Sequence, residues 1–100
     1  MPTFIVEKRT GGAWLPGVDT REQPLWDEHA AFIDELFERG AIVLGGPLVD
    51  GAGAAVLVVE AESEAAVREL FANDPWTIHD LLLVDRIREW RIFLDARTRP

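Results

Sequence analysis

Residues 41–49 and 54–61 are two nearly uninterrupted apolar runs on either side of Asp50-Gly51-Ala52-Gly53. Apolar runs of this length, joined by glycine and aspartate, read as the two strands of a hairpin. A sheet with one face on a core and the other in water alternates apolar and polar residues. Ala41-Ile42-Val43-Leu44 and Ala55-Val56-Leu57-Val58-Val59 do not alternate, so both faces of this hairpin need cover.

The flanking segments supply cover for one face. Residues 3–9 form a β-branched and aromatic run that stops at Thr10-Gly11-Gly12, which predicts a first strand. A helix then opens at Pro24, carries Asp27 and Glu28 at its positive end and closes at Gly40. Its apolar stripe is Leu25, Trp26, Ala30, Ile33, Leu36 and Phe37, and His29 falls inside that stripe. Ser63 caps a second helix with Ala66, Val67, Leu70 and Phe71 as its buried side. That helix ends near Asn73, because Pro75 disfavours helical geometry at Asp74. Residues 81–94 mix large apolar side chains with charges, as an edge strand does.

The order β-α-β-β-α-β in one domain spanning 1–100 predicts an α+β, ferredoxin-like sandwich. Its four-stranded antiparallel sheet carries two helices on one face. No helix is left for the second face, so a second copy of the chain is expected there, sheet on sheet, as a homodimer.

Composition narrows the partners. A chain of 100 residues buries roughly 60–70% of its unfolded surface. Eighteen acidic against ten basic residues give a net charge of −8, which disfavours nucleic acid and anionic membranes. Arg86, Arg88 and Arg91 are interleaved with Asp85 and Glu89 and read as a solvated strand face. The absence of cysteine excludes disulfides, thiolate metal sites and a cysteine nucleophile. No apolar stretch approaches the ~20 residues of a membrane span or forms a signal segment, so the expected location is cytoplasmic. The glycine pairs lack nucleotide-binding spacing, and no cofactor is expected.

In the expected topology the helices run antiparallel, bringing the start of the first and the end of the second to one sheet edge. His29 and Asp74 become neighbours there, together with the 11–23 loop and Gly45-Gly46-Pro47. A carboxylate beside an imidazole fixes its tautomer and favours its charged form, while burial opposes the charge. Such a pair is a candidate proton-transfer site. The bland alternative is that His29 packs in the stripe with a backbone partner and Asp74 merely ends a helix. Candidate ligand contacts are Trp14, Trp26 and Trp76 by stacking, Pro47 at the strand end, and Arg88 as a carboxylate holder. Phe4 is assigned to the core. His79 is a candidate proton-transfer assistant, and a metal site is not expected because neither histidine has ligand spacing.

Three segments carry a resemblance to the YCII-related domain family. They are His29 followed by a helix and Gly40, the run Gly45-Gly46-Pro47-Leu48, and Asn73-Asp74-Pro75-Trp76 followed by a strand ending Ile87-Arg88-Glu89-Trp90. The resemblance implies a dimeric α+β barrel and a functional His29–Asp74 pair. It also implies cofactor-independent lyase, isomerase or dehalogenating chemistry on a small cyclic or aromatic compound. The 11–23 insertion and Gly45, where a small side chain such as alanine is commoner, depart from the family pattern. A noncatalytic ligand-binding or regulatory dimer is the alternative reading, and a cofactor-free oxygenase a third.

Overall fold

The computed structural model describes residues 1–98. Strands β1 (Thr3–Thr10), β2 (Ile42–Pro47), β3 (Ala55–Glu60) and β4 (Leu82–Glu89) form one antiparallel sheet in the order β2-β3-β1-β4. Helices α1 (Trp26–Glu38) and α2 (Glu64–Ala72) link them as expected, giving the ferredoxin-like arrangement. A single helical turn, α3 (Pro75–Ile78), lies between α2 and β4, where the sequence suggested only a connecting segment. No described helix is long and apolar enough to cross a membrane.

One sheet face carries the core. Phe4, Val6, Leu57, Val59 and Ile87 point the same way and pack with Leu36, Val67 and Phe71 from the helices. Burying each such side chain contributes about 1.5–3 kcal/mol. A second cluster of Trp76, Leu81 and Leu82, flanked by Trp14, Leu25, Trp26 and Ala55, sits at the end of the sheet. The two clusters leave the site between them.

Two boundaries differ from the sequence reading. Helix α1 starts at Trp26 rather than Pro24, because Leu25 takes a left-handed conformation (φ 62°) as its cap. Strand β4 stops at Glu89 rather than at residue 94. Beyond it, Trp90, Ile92, Leu94 and Arg97 border a depression with Leu44 and Val58. Val58 pairs with Ile5, on the face opposite the core, yet is only 4% exposed. The chain's own tail therefore shields part of the second face.

The end of β1 is tied to the approach to β4. Gly11 N–H donates to the Leu81 carbonyl (2.8 Å), Ala13 N–H to the Asp80 carbonyl (2.9 Å) and Gly12 N–H to Asp80 Oδ2 (3.0 Å). This contact needs glycine, since a Cβ at position 11 would lie 2.2 Å from the Asp80 carbonyl oxygen. Gly11→Ala is expected to destabilise the fold by about 2 kcal/mol, from backbone displacement of the overpacking kind, measured as a lower urea midpoint.

Candidate functional site

Asp74 is placed by the end of α2 and the start of α3. Its extended backbone (φ −61°, ψ 126°) and the following Pro75 make it the cap of α3, and its Oδ1 accepts from Trp76 N–H at 3.0 Å. The side chain is wholly buried. His29, on the first turn of α1, donates from Nδ1 to both carboxylate oxygens, at 2.9 and 3.0 Å. This donor role is assigned from the acceptor character of the carboxylate. The same assignment leaves Nε2 with a free lone pair, and no protein group among the described residues hydrogen-bonds to it.

A third ionisable group completes the site, and sequence reasoning missed it. Lys8, the chain's only lysine, is 3% exposed, with Nζ 3.6 Å from Asp74 Oδ2 and 4.1 Å from the centroid of the Phe71 ring. The contact with Asp74 is an ion pair beyond hydrogen-bond length, and Nζ has no hydrogen-bond partner among the described residues. Burial pushes the lysine pKa below its ordinary value, and the Asp74 charge offsets this only in part. The available signal was alternation: Phe4, Val6 and Lys8 share the inward face of β1.

Aromatic rings enclose the imidazole. Trp76 stacks on His29 with centroids 3.8 Å apart and planes 7° from parallel. Trp14 meets Trp76 edge-on at 5.5 Å, and Trp26 lies 5.8 Å from His29. The Trp76 indole is fixed by its Nε1–H, which donates to the Pro24 carbonyl at 2.7 Å. Pro24, displaced from the helix, thus anchors the ring that stacks on the imidazole.

These groups line a cavity of about 290 Å³, with Gly45, Pro47, Leu57 and Leu82 among its other walls. A Cβ at position 45 would approach Leu57 Cδ2 to 2.5 Å, so a larger residue there would displace the Leu57 side chain in this wall. The 11–23 loop contributes Trp14, Thr20 and Arg21. It is clipped by buried Gln23, whose amide oxygen accepts from Leu15 N–H (2.9 Å) and whose Nε2 donates to the Leu15 (2.8 Å) and Val18 (2.9 Å) carbonyls.

The structure thus brings together His29, Asp74, Trp76, Trp14 and Pro47. Two candidates lie elsewhere. Arg88 projects from the opposite sheet face, where its Nη2 is 3.5 Å from Glu7 Oε2, because β4 alternates and Ile87 takes the inward position. His79 is the exposed C-terminal cap of α3 and does not border the cavity. Arg21 was not singled out from sequence, because irregular loop backbone has no period from which a side chain's direction can be read.

The YCII-related domain family model matches residues 1–91. Among solved structures, the chain is similar to the 5-chloro-2-hydroxyhydroquinone dehydrochlorinase TftG from Burkholderia phenoliruptrix AC1100, in complex with 2,5-dihydroxybenzoquinone. The two are 25% identical with a TM-score of 0.60, over 88% of this chain and 93% of that one. Among curated proteins none matches.

The chain contains one lysine, no tyrosine and no cysteine, so among these three side-chain types an alkaline titration follows Lys8 alone. The unfolded chain holds the lysine proton up to its ordinary pKa near 10.5, whereas the folded chain releases it at lower pH. In that window the unfolded state binds more protons, so stability rises with pH. Urea unfolding across the window should show this rise in wild type and not in Lys8→Met. The single lysine ¹³Cε resonance should titrate below 10.5.

Proposed function

This chain belongs to the YCII-related domain family, and from that membership and the cavity's geometry we propose that it is a cofactor-independent enzyme moving a proton on a small cyclic or aromatic compound. The observation that carries the reading is the buried hydrogen bond from His29 Nδ1 to Asp74, in an imidazole that borders an apolar cavity. His29 Nε2 is the base. It takes a proton from the ring compound, and the electron pair of the broken bond enters the ring system. From there the pair expels a leaving group in an elimination, or takes the proton back at another carbon in an isomerisation.

Each neighbour has a part in that step. Asp74 holds the Nδ1–H tautomer and stabilises the imidazolium as it forms. Lys8 balances the carboxylate, so the resting site carries one buried cation against one buried anion. Trp76 fixes the imidazole plane by stacking, and the indoles keep water from the reacting ring. Dehydrochlorination of a chlorinated hydroquinone by the similar enzyme is chemistry of this class.

The enzyme acts as a homodimer in this reading, joined through the face opposite the helices. Leu44 (49% exposed), Phe93 (86%) and Leu94 (94%) give that side an uncovered apolar area. Contiguous patches of this kind mark association surfaces. In sedimentation the wild type should run at twice the chain mass, and a Leu44→Glu, Phe93→Glu double variant should run as a monomer.

The catalytic reading is tested with single-ring phenols and quinols, among them 5-chloro-2-hydroxyhydroquinone, followed by ultraviolet absorbance and chloride release. For the compound turned over, His29→Ala should lower kcat by about 10²-fold or more, the usual contribution of a positioned general base. Equal rates in the two proteins would remove His29 from the chemistry.

A further inference from the structure

The cavity has the opposite charge character from the protein. Of its lining residues, the charged or chargeable ones are Lys8, Arg21 and His29, and none is acidic, in a chain whose net charge is −8. Asp74 is wholly buried behind His29 and is matched by Lys8. Arg21 is therefore the uncompensated charge at the cavity. Among the described residues no carboxylate approaches it to ion-pair distance.

The backbone that carries it is held in place. Arg21 is the middle residue of the 3-10 turn Thr20–Glu22, and the next residue but one is Gln23, whose side chain makes the three hydrogen bonds that fold the loop back. The turn places Arg21 on the wall of a cavity whose other walls include Trp14, Trp26 and Trp76. Flat aromatic walls with a planar cation at one side select a planar ring bearing an anionic oxygen. A strongly acidic protein repels anions at long range, so an anionic ligand needs such a local positive group.

We propose that Arg21 forms an anion subsite, and that the ligand is a single-ring compound carrying a carboxylate or phenolate oxygen at its edge. The ring lies among the indoles beside His29, and the oxygen meets the guanidinium. This deepens the proposed function and rests on the cavity being the ligand site. It also assigns the 11–23 insertion, which departs from the family pattern, the task of selecting charge.

The test is calorimetric titration of wild type and Arg21→Gln with two matched pairs. Benzoate is paired with benzamide, and 4-nitrophenolate with 4-nitrophenol, taken above and below the phenol's own pKa. The wild type should prefer the anion by about tenfold, the scale of one charge-assisted hydrogen bond. Arg21→Gln should erase that preference and leave the neutral rings bound as before. A preference for benzoate alone identifies a carboxylate ligand, and one for nitrophenolate alone a phenolate. Because Arg21 is exposed, the variant's thermal unfolding should match wild type. Equal binding of charged and neutral rings by the wild type overturns the subsite, and so does a preference that survives in Arg21→Gln; in both cases the cavity reading stands. A wild type that binds neither member of either pair overturns the subsite together with the cavity reading.

Discussion

A carboxylate with no contact with water must find its solvation inside the protein, and the placement of Asp74 depends on that need. The idealised cost of removing such an ion from water is of order 20 kcal/mol, and several remain after relaxation. Three groups offset it: the Nδ1–H of His29 on α1, the backbone N–H of Trp76 on α3 and the ammonium of Lys8 on β1. The carboxylate therefore couples β1 of the sheet to α1 and α3 at one point. Losing any partner leaves the rest of a buried ionic group uncompensated, which is far more costly than losing an exposed ion pair. Fold and site share this constraint, so the residues that orient the imidazole also determine how β1, α1 and α3 meet.

Lys8 changes what the pair can do. A histidine held by an isolated buried carboxylate sits in a net negative site. Here the ammonium beside Oδ2 cancels that charge, and the imidazole faces an ion pair instead. The ammonium in turn lies over the Phe71 ring rather than in water, which supplies part of its lost solvation. Its lowered proton affinity reflects how incompletely these contacts replace water.

Much of this was legible in the sequence, residue by residue. The approach of His29 to Asp74 followed from topology, because antiparallel helices on one sheet bring the start of α1 to the end of α2. Asp74-Pro75 carried both a helix stop and, less visibly, a new cap. A four-residue helix is too short for any periodic signal, so α3 did not show. Lys8 sat in plain view at the inward position after Phe4 and Val6, but a lysine in a strand is by default taken as solvated. Arg88 was misassigned to the ligand for a related reason: the alternation that turns Ile87 inward turns its neighbours Arg86 and Arg88 to the face of Glu7. Gln23 and Arg21 were out of reach, because their positions come from loop hydrogen bonds between residues without repeating geometry.

The face opposite the helices accounts for the unalternating apolar runs of residues 41–49 and 54–61. Its two halves differ in kind. On β1 and β4 it carries the pairs of Glu7 with Arg86 and Arg88 and of Arg9 with Asp85, whose arginines are exposed. On β2 and β3 it carries Leu44, Val56 and Val58, the outward half of the unalternating runs. The demand for cover thus applies to half a sheet, and residues 90–98 meet part of it by returning across Val58. That return carries Phe93 and Leu94 out to the surface, so the cover is itself apolar. Shielding one patch with the tail moves the unmet apolar area outward instead of removing it, and a second copy of the same face is a surface of matching character.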